Sequence, residues 1–292
     1  MAHNGDDLDD DFVPDDIVAL SETDDVDDAD DDIEKLLSAD EDAPVNQEQS
    51  LVDKKRKRRE KEKQRKAKKR KLAEDTQPPE PASLGAQPPV ILADYLSSAQ
   101  AKTFTKLSAI ELQDRQIPES SIADTTQWTG SRTSDDLVDF IVKAVPALHT
   151  RLSMRTKSPG APTLLFLTSA ALRVADVTRT LKSKTLRGEK GGDVAKLFAK
   201  HFKLEEHVKY LKRTKVGAAV GTPGRIGKLL CETDALSISA LTHIILDVSY
   251  HDKKNRTLLD IPETRDEIFK TVLGAPQVLQ AIQAGKIQVV LF

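Results

Sequence analysis

The chain has 292 residues, a formal net charge of −3 and a single cysteine, Cys231. One cysteine excludes an intramolecular disulfide and a zinc cluster built from cysteines. The sequence starts without the basic and apolar regions of a signal peptide and has no apolar run of about 18 residues. We therefore expect no membrane partner, and a reducing intracellular compartment.

Residues 1–50 are strongly acidic, with 20 acidic side chains and one basic side chain. Their like charges repel, and they hold too little apolar surface to offset the entropy of an ordered chain, so we predict a disordered acidic tail. Short apolar islands interrupt the tail, and Ile33, Leu36 and Leu37 have helical spacing. The tail is either only solvated or docks to a basic partner through these islands.

Residues 51–75 are basic, with 14 basic and 5 acidic side chains. Such runs bind nuclear import receptors or nucleic-acid phosphates, because both favour dense positive charge. We predict a nuclear localisation signal that also contacts RNA; the alternative is a solvated charged helix without a partner. The two clusters are Lys54, Lys55, Arg56, Lys57, Arg58 and Arg59, followed by Lys68, Lys69, Arg70 and Lys71.

Residues 76–89 contain five prolines and are predicted to be an extended linker. The remaining residues, 90–292, alternate short apolar runs with stretches of helical spacing. This alternation predicts one α/β domain with a mainly parallel sheet and flanking helices. The predicted strands are 163–168, 215–221, 241–247 and 287–292; the predicted helices are 170–182, two stretches within 193–212, 223–230, 263–273 and 276–284.

Two groups of residues, histidines and glycines, are of types that occur in binding sites, but their spacing predicts no specific site. His201 and His207 lie six residues apart, and no histidine pair has the i, i+4 spacing of a helical zinc site, so we predict no metal and no cofactor. Gly188, Gly191 and Gly192 lie in a basic stretch that we interpret as a surface loop between helices. Loose contact with RNA is the alternative for these glycines.

The segment from Val220 to Ile226 has a sequence suited to binding phosphate. A strand is followed by a tight turn and a helix that starts at Pro223, so the free backbone amides of the first turn form an anion site. Arg225 adds a positively charged fork beside them. The alternative is a turn with only a structural role. The string V-G-T-P-G-R closely resembles motif Ib of the DEAD-box RNA helicases.

Other segments resemble motifs of the same helicases. Thr168 and Ser169 lie where motif Ia is expected after its strand, Asp247 lies at the position of motif II, and Thr129–Thr133 occupies the place of the phosphate-binding loop. The resemblance covers about residues 100–292 and implies a single RecA-like lobe. It implies an RNA face made of Thr168, Ser169, Thr222, Pro223, Gly224 and Arg225.

The departures from the helicase motifs predict that the lobe is not an enzyme. Arg132 and Thr133 replace a glycine and the lysine of the phosphate-binding loop, and Val248 replaces the catalytic glutamate of motif II. Phosphoryl transfer depends on these groups to position the phosphates and to stabilise charge. We therefore expect neither a nucleotide cofactor nor a small-molecule substrate.

An acidic tail, a basic segment and one degenerate lobe together resemble the Cms family of small-subunit pre-ribosome proteins. The resemblance implies a non-catalytic factor of the nucleus and nucleolus that acts in rRNA processing and small-subunit assembly. Its implied partners are pre-ribosomal RNA, small-subunit pre-ribosome proteins and a nuclear import receptor. Two alternatives stay open: a protein-only scaffold with a vestigial RNA face, and a cryptic ATPase or RNA helicase.

Overall fold

A five-stranded parallel sheet lies at the centre of residues 83–292, the part of the chain that this computed structural model describes. The strand order is β2-β3-β1-β4-β5. The strands are β1 Leu164–Leu167, β2 Asp193–Leu197, β3 Val216–Gly221, β4 His243–Leu246 and β5 Gln288–Leu291. This architecture confirms the predicted α/β fold with its parallel sheet. The predictions for residues 1–50, 51–75 and most of the linker lie outside the described residues.

Ten α-helices surround the sheet within residues 83–292. Five of them begin at a proline, whose fixed φ and missing N–H suit the first helical position. The helices are α1 Pro89–Thr103, α2 Ala109–Asp114, α3 Leu137–Ala144, α4 Pro146–Leu152, α5 Ala171–Leu181, α6 Lys184–Arg187, α7 Leu204–Arg213, α8 Pro223–Cys231, α9 Pro262–Glu267 and α10 Pro276–Gln283. A π-helical turn, Ile268–Val272, continues α9, and 3-10 turns occupy Leu84–Ala86 and Glu119–Ser121. No helix in this part of the chain is long and apolar enough to span a membrane.

One element prediction was wrong: the first helical stretch within residues 193–212 is strand β2. This strand lies at the edge of the sheet, pairs only with β3, and carries the half-buried Lys196. A charged side chain is typical of an edge strand, and pairing with β3 overrides the weak local preference of the segment. The glycine segment 188–192 therefore leads from α6 into a strand rather than into a helix. A Cβ atom on Gly192 would collide with the backbone of Gly217 on β3, so this glycine permits the close approach of the two chains.

The sheet is buried on both faces, which explains its almost continuous apolar strands. Alternate residues of a strand point to opposite faces, so Leu165 and Leu167 belong to one core cluster and Leu164 and Phe166 to the other.

The last residues of the predicted linker contact the edge of this sheet. Gly85 is buried, its carbonyl oxygen accepts a hydrogen bond of 3.1 Å from Thr125 Oγ1, and a Cβ atom there would lie 2.7 Å from Leu291 O.

Candidate nucleic-acid interface

The carboxyl ends of three neighbouring strands meet at one edge of the sheet. β1 lies between β3 and β4, so Thr168, Thr222 and Asp247 follow adjacent strand ends. The backbone N–H of Thr168 donates to Gly221 O at 3.2 Å. The structure thus brings together the segments in which the sequence predicted a site, at the edge where open parallel sheets bind ligands.

Two hydroxyl groups at this edge have no hydrogen-bond partner in the described structure. Thr168 is completely buried and Ser169 is half-buried, yet neither Oγ1 of Thr168 nor Oγ of Ser169 is paired. Most buried side-chain polar atoms in proteins are paired. These two hydroxyls are unpaired but enclosed, so a ligand contacts them only after the groups that cover them move.

The turn between β3 and α8 has the local structure that its sequence predicts. Thr222 is the N-cap residue with extended backbone angles, and Pro223 is the first helical residue. The side chain of Thr222 makes no capping hydrogen bond, while its backbone N–H donates to Leu197 O at 3.0 Å. Thr222 is half-buried at the start of the helix.

Arg225 points beneath the loop that joins β2 and α7 rather than into solvent. Only 8% of the residue is exposed, and its Nη2 donates to Phe202 O at 2.8 Å. Its Nε and Nη1 are buried without a partner among the described residues. Burial lowers the pKa of Arg225, and the nearby Glu206 carboxylate opposes this shift. The guanidinium anchors this loop and offers little surface to a ligand.

The start of helix α8 already has a negative partner, Glu267. The Gly224 N–H donates to the Glu267 carboxylate, and a Cβ atom on Gly224 would collide with that carboxylate. Burial raises the pKa of Glu267, and the hydrogen bond from Gly224 lowers it in part. Gly227 lies one turn further along α8, and a Cβ atom there would collide with the side chain of Thr271. The two glycines therefore let the α9 segment, which we define as α9 and the π-helical turn after it, pack on α8. Glu267 offsets the positive N-terminal end of the α8 dipole.

Asp247, at the position expected for motif II, is bound by an arginine that no sequence motif marked. Arg173 Nε lies 2.9 Å from Asp247 Oδ2, and Arg173 Nη2 lies 3.3 Å from Oδ1. The Asp247 side chain has no exposed surface. The Arg173 guanidinium also lies over the ring of Tyr250, with 5.3 Å from Cζ to the ring centroid. Both carboxylate oxygens are therefore used by a cation of the chain itself.

The segment expected to resemble a phosphate-binding loop is stabilised by an inward arginine. Arg132 Nη1 donates to Leu291 O, and Nη2 donates to Thr125 Oγ1, each at 3.0 Å. The guanidinium lies over the Phe140 ring, 4.9 Å from its centroid, and burial lowers the pKa of Arg132 to about 10.

The two hydroxyl side chains of the same segment are also occupied. Ser131 Oγ and Thr133 Oγ1 both donate to the carboxylate of Asp136, which directly precedes helix α3. A carboxylate thus lies near the helix start where a nucleotide-binding loop would hold a phosphate.

Most polar groups at the edge are already bonded within the chain. Within residues 83–292, no group of three or more His, Cys, Asp or Glu side chains is arranged to bind a metal ion. The sequence predicted the edge but not its internal partners. No local pattern marks Arg173 or Glu267, because each contacts its partner across more than 40 positions of the chain.

Comparisons with known proteins identify relatives of this chain. Protein CMS1 of Chaetomium thermophilum is 39% identical over 185 residues, which cover 63% of this chain and 72% of that protein. Protein cms1 of Schizosaccharomyces pombe is 34% identical over 192 residues, covering 64% of this chain and 66% of the relative. Protein CMSS1 of Homo sapiens is 32% identical over 180 residues, 62% of this chain and 58% of the human protein.

Two solved helicase structures are similar to part of the chain. One is a DEAD box protein from Methanococcus jannaschii, with a TM-score of 0.35, 18% identity, and coverage of 56% of this chain and 37% of that chain. The other is the yeast DEAD-box splicing factor Prp28, also with a TM-score of 0.35 and 18% identity, covering 59% of this chain and 35% of Prp28.

The family described as "CMS1: U3-containing 90S pre-ribosomal complex subunit" matches residues 34–292, which is most of the chain. This match and the identity to the fungal relatives confirm the resemblance inferred from the sequence. The chain belongs to the CMS1 family.

Proposed function

We propose that this chain is a non-catalytic subunit of the 90S pre-ribosomal complex, located in the nucleolus, that binds precursor RNA during small-subunit assembly. The description of its family supports a role in ribosome biogenesis. The expected partners are pre-ribosomal RNA and small-subunit pre-ribosome proteins. The basic clusters within residues 51–75 add salt-dependent phosphate contacts and bind a nuclear import receptor.

The observation that carries the RNA proposal is the pair of unpartnered hydroxyls, Thr168 Oγ1 and Ser169 Oγ, beside the start of α8. Hydroxyls and backbone amides are common ligands of nucleic-acid phosphates. In this proposal the RNA face consists of Thr168 and Ser169 together with the turn from Thr222 through Pro223 to Gly224, which the buried Arg225 supports through its bond to Phe202 O. Because Gly224 is already bonded to Glu267, a phosphate reaches the Gly224 amide only when Glu267 moves away.

The internal partners of the degenerate motifs support the absence of nucleotide turnover. Asp247 has both oxygens bonded to Arg173, and Arg132 is bonded to the sheet edge where a flexible glycine would leave space. A nucleotide with its metal ion would have to displace both guanidinium groups, and no lysine is present at the expected position to repay that cost. We therefore propose no cofactor and no small-molecule substrate.

A protein-only scaffold is the second candidate function. Its support is that Gly224 and Arg225 each have a packing partner, Glu267 and Phe202 O, so the turn has a structural role without RNA. Leu172 at the start of α5 is 81% exposed, and such a side chain fits contact with a protein.

Ultraviolet crosslinking of the tagged full chain in growing cells, followed by sequencing of the attached RNA, tests the proposal. Thr168→Val removes an unpaired buried hydroxyl and keeps the shape of the side chain, so it should leave the fold intact. The matched control is Thr178→Val, which removes a hydroxyl bonded within helix α5.

We expect crosslinks to small-subunit precursor RNA that decrease in Thr168→Val and persist in Thr178→Val. Background crosslinks for the wild-type chain, with normal nuclear accumulation, would reject RNA binding and favour the protein scaffold.

A further inference from the structure

The loop between β2 and α7 combines aromatic and cationic side chains beside the proposed RNA face. We call residues 198–203 the aromatic–lysine loop; its sequence, F-A-K-H-F-K, contains no acidic residue. Lys200, His201 and Lys203 are exposed, whereas Phe198 and Phe202 are half-buried. Proteins bind single-stranded nucleic acids with aromatic rings, which stack on the bases, and with cationic side chains, which contact the phosphates.

Hydrogen bonds hold this loop in a fixed position relative to the T-P-G-R turn. Just before the loop, Leu197 O accepts from the Thr222 N–H, and within it Phe202 O accepts from Arg225 Nη2. The Lys203 N–H donates to Glu206 Oε2 at 2.8 Å, which ties the end of the loop to α7. A loop that is already positioned loses less conformational entropy when it binds a ligand.

Phe202 has no role in the hydrophobic core of the described residues. Phe198 packs against one of the two core clusters, but Phe202 belongs to neither cluster and does not pack against them. Its ring contacts Phe198, at 5.3 Å between centroids and 82° between planes, and His207, at 5.4 Å and 32°. A large aromatic side chain held at the surface by other rings is suited to stack on a further flat group.

We propose that the aromatic–lysine loop is a stacking site for a base of single-stranded RNA, with Phe202 contacting the base and Lys200 and Lys203 contacting the adjacent phosphates. This inference rests on the proposed RNA-binding function and names the form of RNA that the lobe binds. Unpaired bases expose the flat faces that an aromatic ring requires, whereas a duplex keeps its bases stacked on one another. An acidic protein segment would use the lysines but would leave the Phe202 ring without a matching surface.

This contact also removes a conflict at the neighbouring turn. Arg225 and the Gly224 amide are bonded to Phe202 O and to Glu267, so neither is open to a phosphate in this structure. The aromatic–lysine loop offers positive charge and a stacking surface at the same edge without displacing either bond. RNA can therefore first bind the loop, with Thr168 and Ser169 nearby to extend the contact.

The test uses the full chain, a fluorescein-labelled 12-residue oligouridine RNA and its counterpart of equal length without bases. Fluorescence anisotropy gives the Kd for Phe202→Leu, which keeps an apolar side chain but removes the ring. The matched control is Phe104→Leu; Phe104 is another half-buried phenylalanine, at the end of α1, with Arg115 over its ring. The basic segment is present in every protein, so differences in affinity report on the lobe.

We expect Phe202→Leu to bind the oligouridine at least about five-fold more weakly than wild type, in line with the loss of one stacked base. We expect Phe104→Leu to bind as wild type does, and the RNA without bases to show no difference between the two variants. Lys200→Glu should lower the slope of log Kd against log salt by about 0.7 for each phosphate of the single strand that Lys200 neutralises in the wild-type chain. Lys209→Glu is the charge control, because Lys209 is exposed on α7, and this variant should not lower the slope.

Equal affinities of Phe202→Leu and Phe104→Leu for the oligouridine would overturn the stacking site while leaving RNA binding by the chain intact. A wild-type chain that fails to bind the RNA would instead reject the proposed function. If Phe202→Leu bound RNA normally but no longer sedimented with pre-ribosomal particles, the loop would bind a protein, and the RNA assignment would be wrong.

Discussion

Arg173 and Asp247 form a buried bidentate ion pair at the carboxyl edge of the sheet, with 2.9 Å between Arg173 Nε and Asp247 Oδ2. The pair joins the start of helix α5 to the end of strand β4. It places a cation of the chain against both oxygens of a carboxylate that has no exposed surface. Both oxygens of Asp247 are therefore engaged in a contact within the chain.

Removing Arg173 should strongly destabilise the lobe. Arg173→Met leaves the Asp247 carboxylate buried without a partner, and we expect the free energy of unfolding to fall by about 3 kcal/mol. Urea denaturation followed by circular dichroism measures this change. Arg179→Met is the control, because Arg179 pairs with Asp176 on the exposed face of the same helix, and such surface pairs contribute less than about 1 kcal/mol. Equal losses in the two variants would show that the buried pair has no special role.

The lobe should not bind ATP with magnesium. The Arg132 guanidinium is bonded to Leu291 O and Thr125 Oγ1, and both oxygens of Asp247 are bonded to Arg173. A ligand present at 100 times its Kd stabilises a folded protein by about 2.7 kcal/mol, which a thermal melting experiment detects easily. We expect no change in Tm at millimolar Mg-ATP. A saturable increase in Tm would revive the cryptic ATPase as a candidate function.

The sequence was sufficient to predict the strands with a continuous apolar run and the helix that begins at Pro223. The continuous apolar runs of β1, β3, β4 and β5 indicated buried parallel strands, and Pro223 correctly marked the start of α8. Strand β2 was not recognised, because an edge strand with a half-buried lysine lacks both the apolar run and the alternation that identify strands.

The internal partners at the candidate site could not be predicted, because each arises from the packing of distant segments. Arg173 and Asp247 are separated by 74 positions, and their contact depends on α5 and β4 meeting at the same edge. Glu267 reaches Gly224 because two glycines on α8 let the α9 segment approach. The sequence showed that Asp247 and the T-P-G-R turn exist but not that each is already bonded within the chain.

The lobe should become less stable as the pH falls below about 6.5, which is the pKa of histidine in an unfolded chain. Burial and the nearby Arg225 lower the pKa of His207 to about 4, and Glu206 opposes this shift only in part. Burial and the nearby Arg151 lower the pKa of His243 to about 4 as well, against a smaller opposing effect of Gln288. Because the folded-state pKa values lie below the unfolded value, both residues stay neutral in the folded chain. Their contribution is present above pH 6.5 and is lost as the pH falls towards 4.

Each of the two histidines should therefore cost roughly 1 kcal/mol of unfolding free energy per pH unit in that window. Urea denaturation at pH 7, 6 and 5 measures the slope for wild type and for His207→Phe, which keeps a ring beside Phe202. We expect the slope to become shallower in His207→Phe than in wild type, because the buried histidine with the lowered pKa is removed. An unchanged slope in His207→Phe would show that His207 is not neutral in the folded chain.

Removing the charge of Glu267 should strengthen RNA binding if the start of α8 is a phosphate site. In Glu267→Gln the side chain keeps an oxygen that can accept the Gly224 N–H, so the packing on Gly224 is preserved while the negative charge is lost. An anion at a helix N-terminus gains about 0.3–1 kcal/mol, so we expect roughly two- to five-fold tighter binding of a short single-stranded RNA by fluorescence anisotropy.

Glu263→Gln supplies the control for Glu267→Gln, since it removes the same charge from an exposed position one turn earlier on α9. A gain in affinity confined to Glu267→Gln would mean that the chain's own carboxylate competes with RNA for the Gly224 amide. Equal affinities in the two variants would mean that the T-P-G-R turn serves only the packing of α8 against the α9 segment. RNA contact by the lobe would then depend on Thr168, Ser169 and the aromatic–lysine loop, which do not require Glu267 to move.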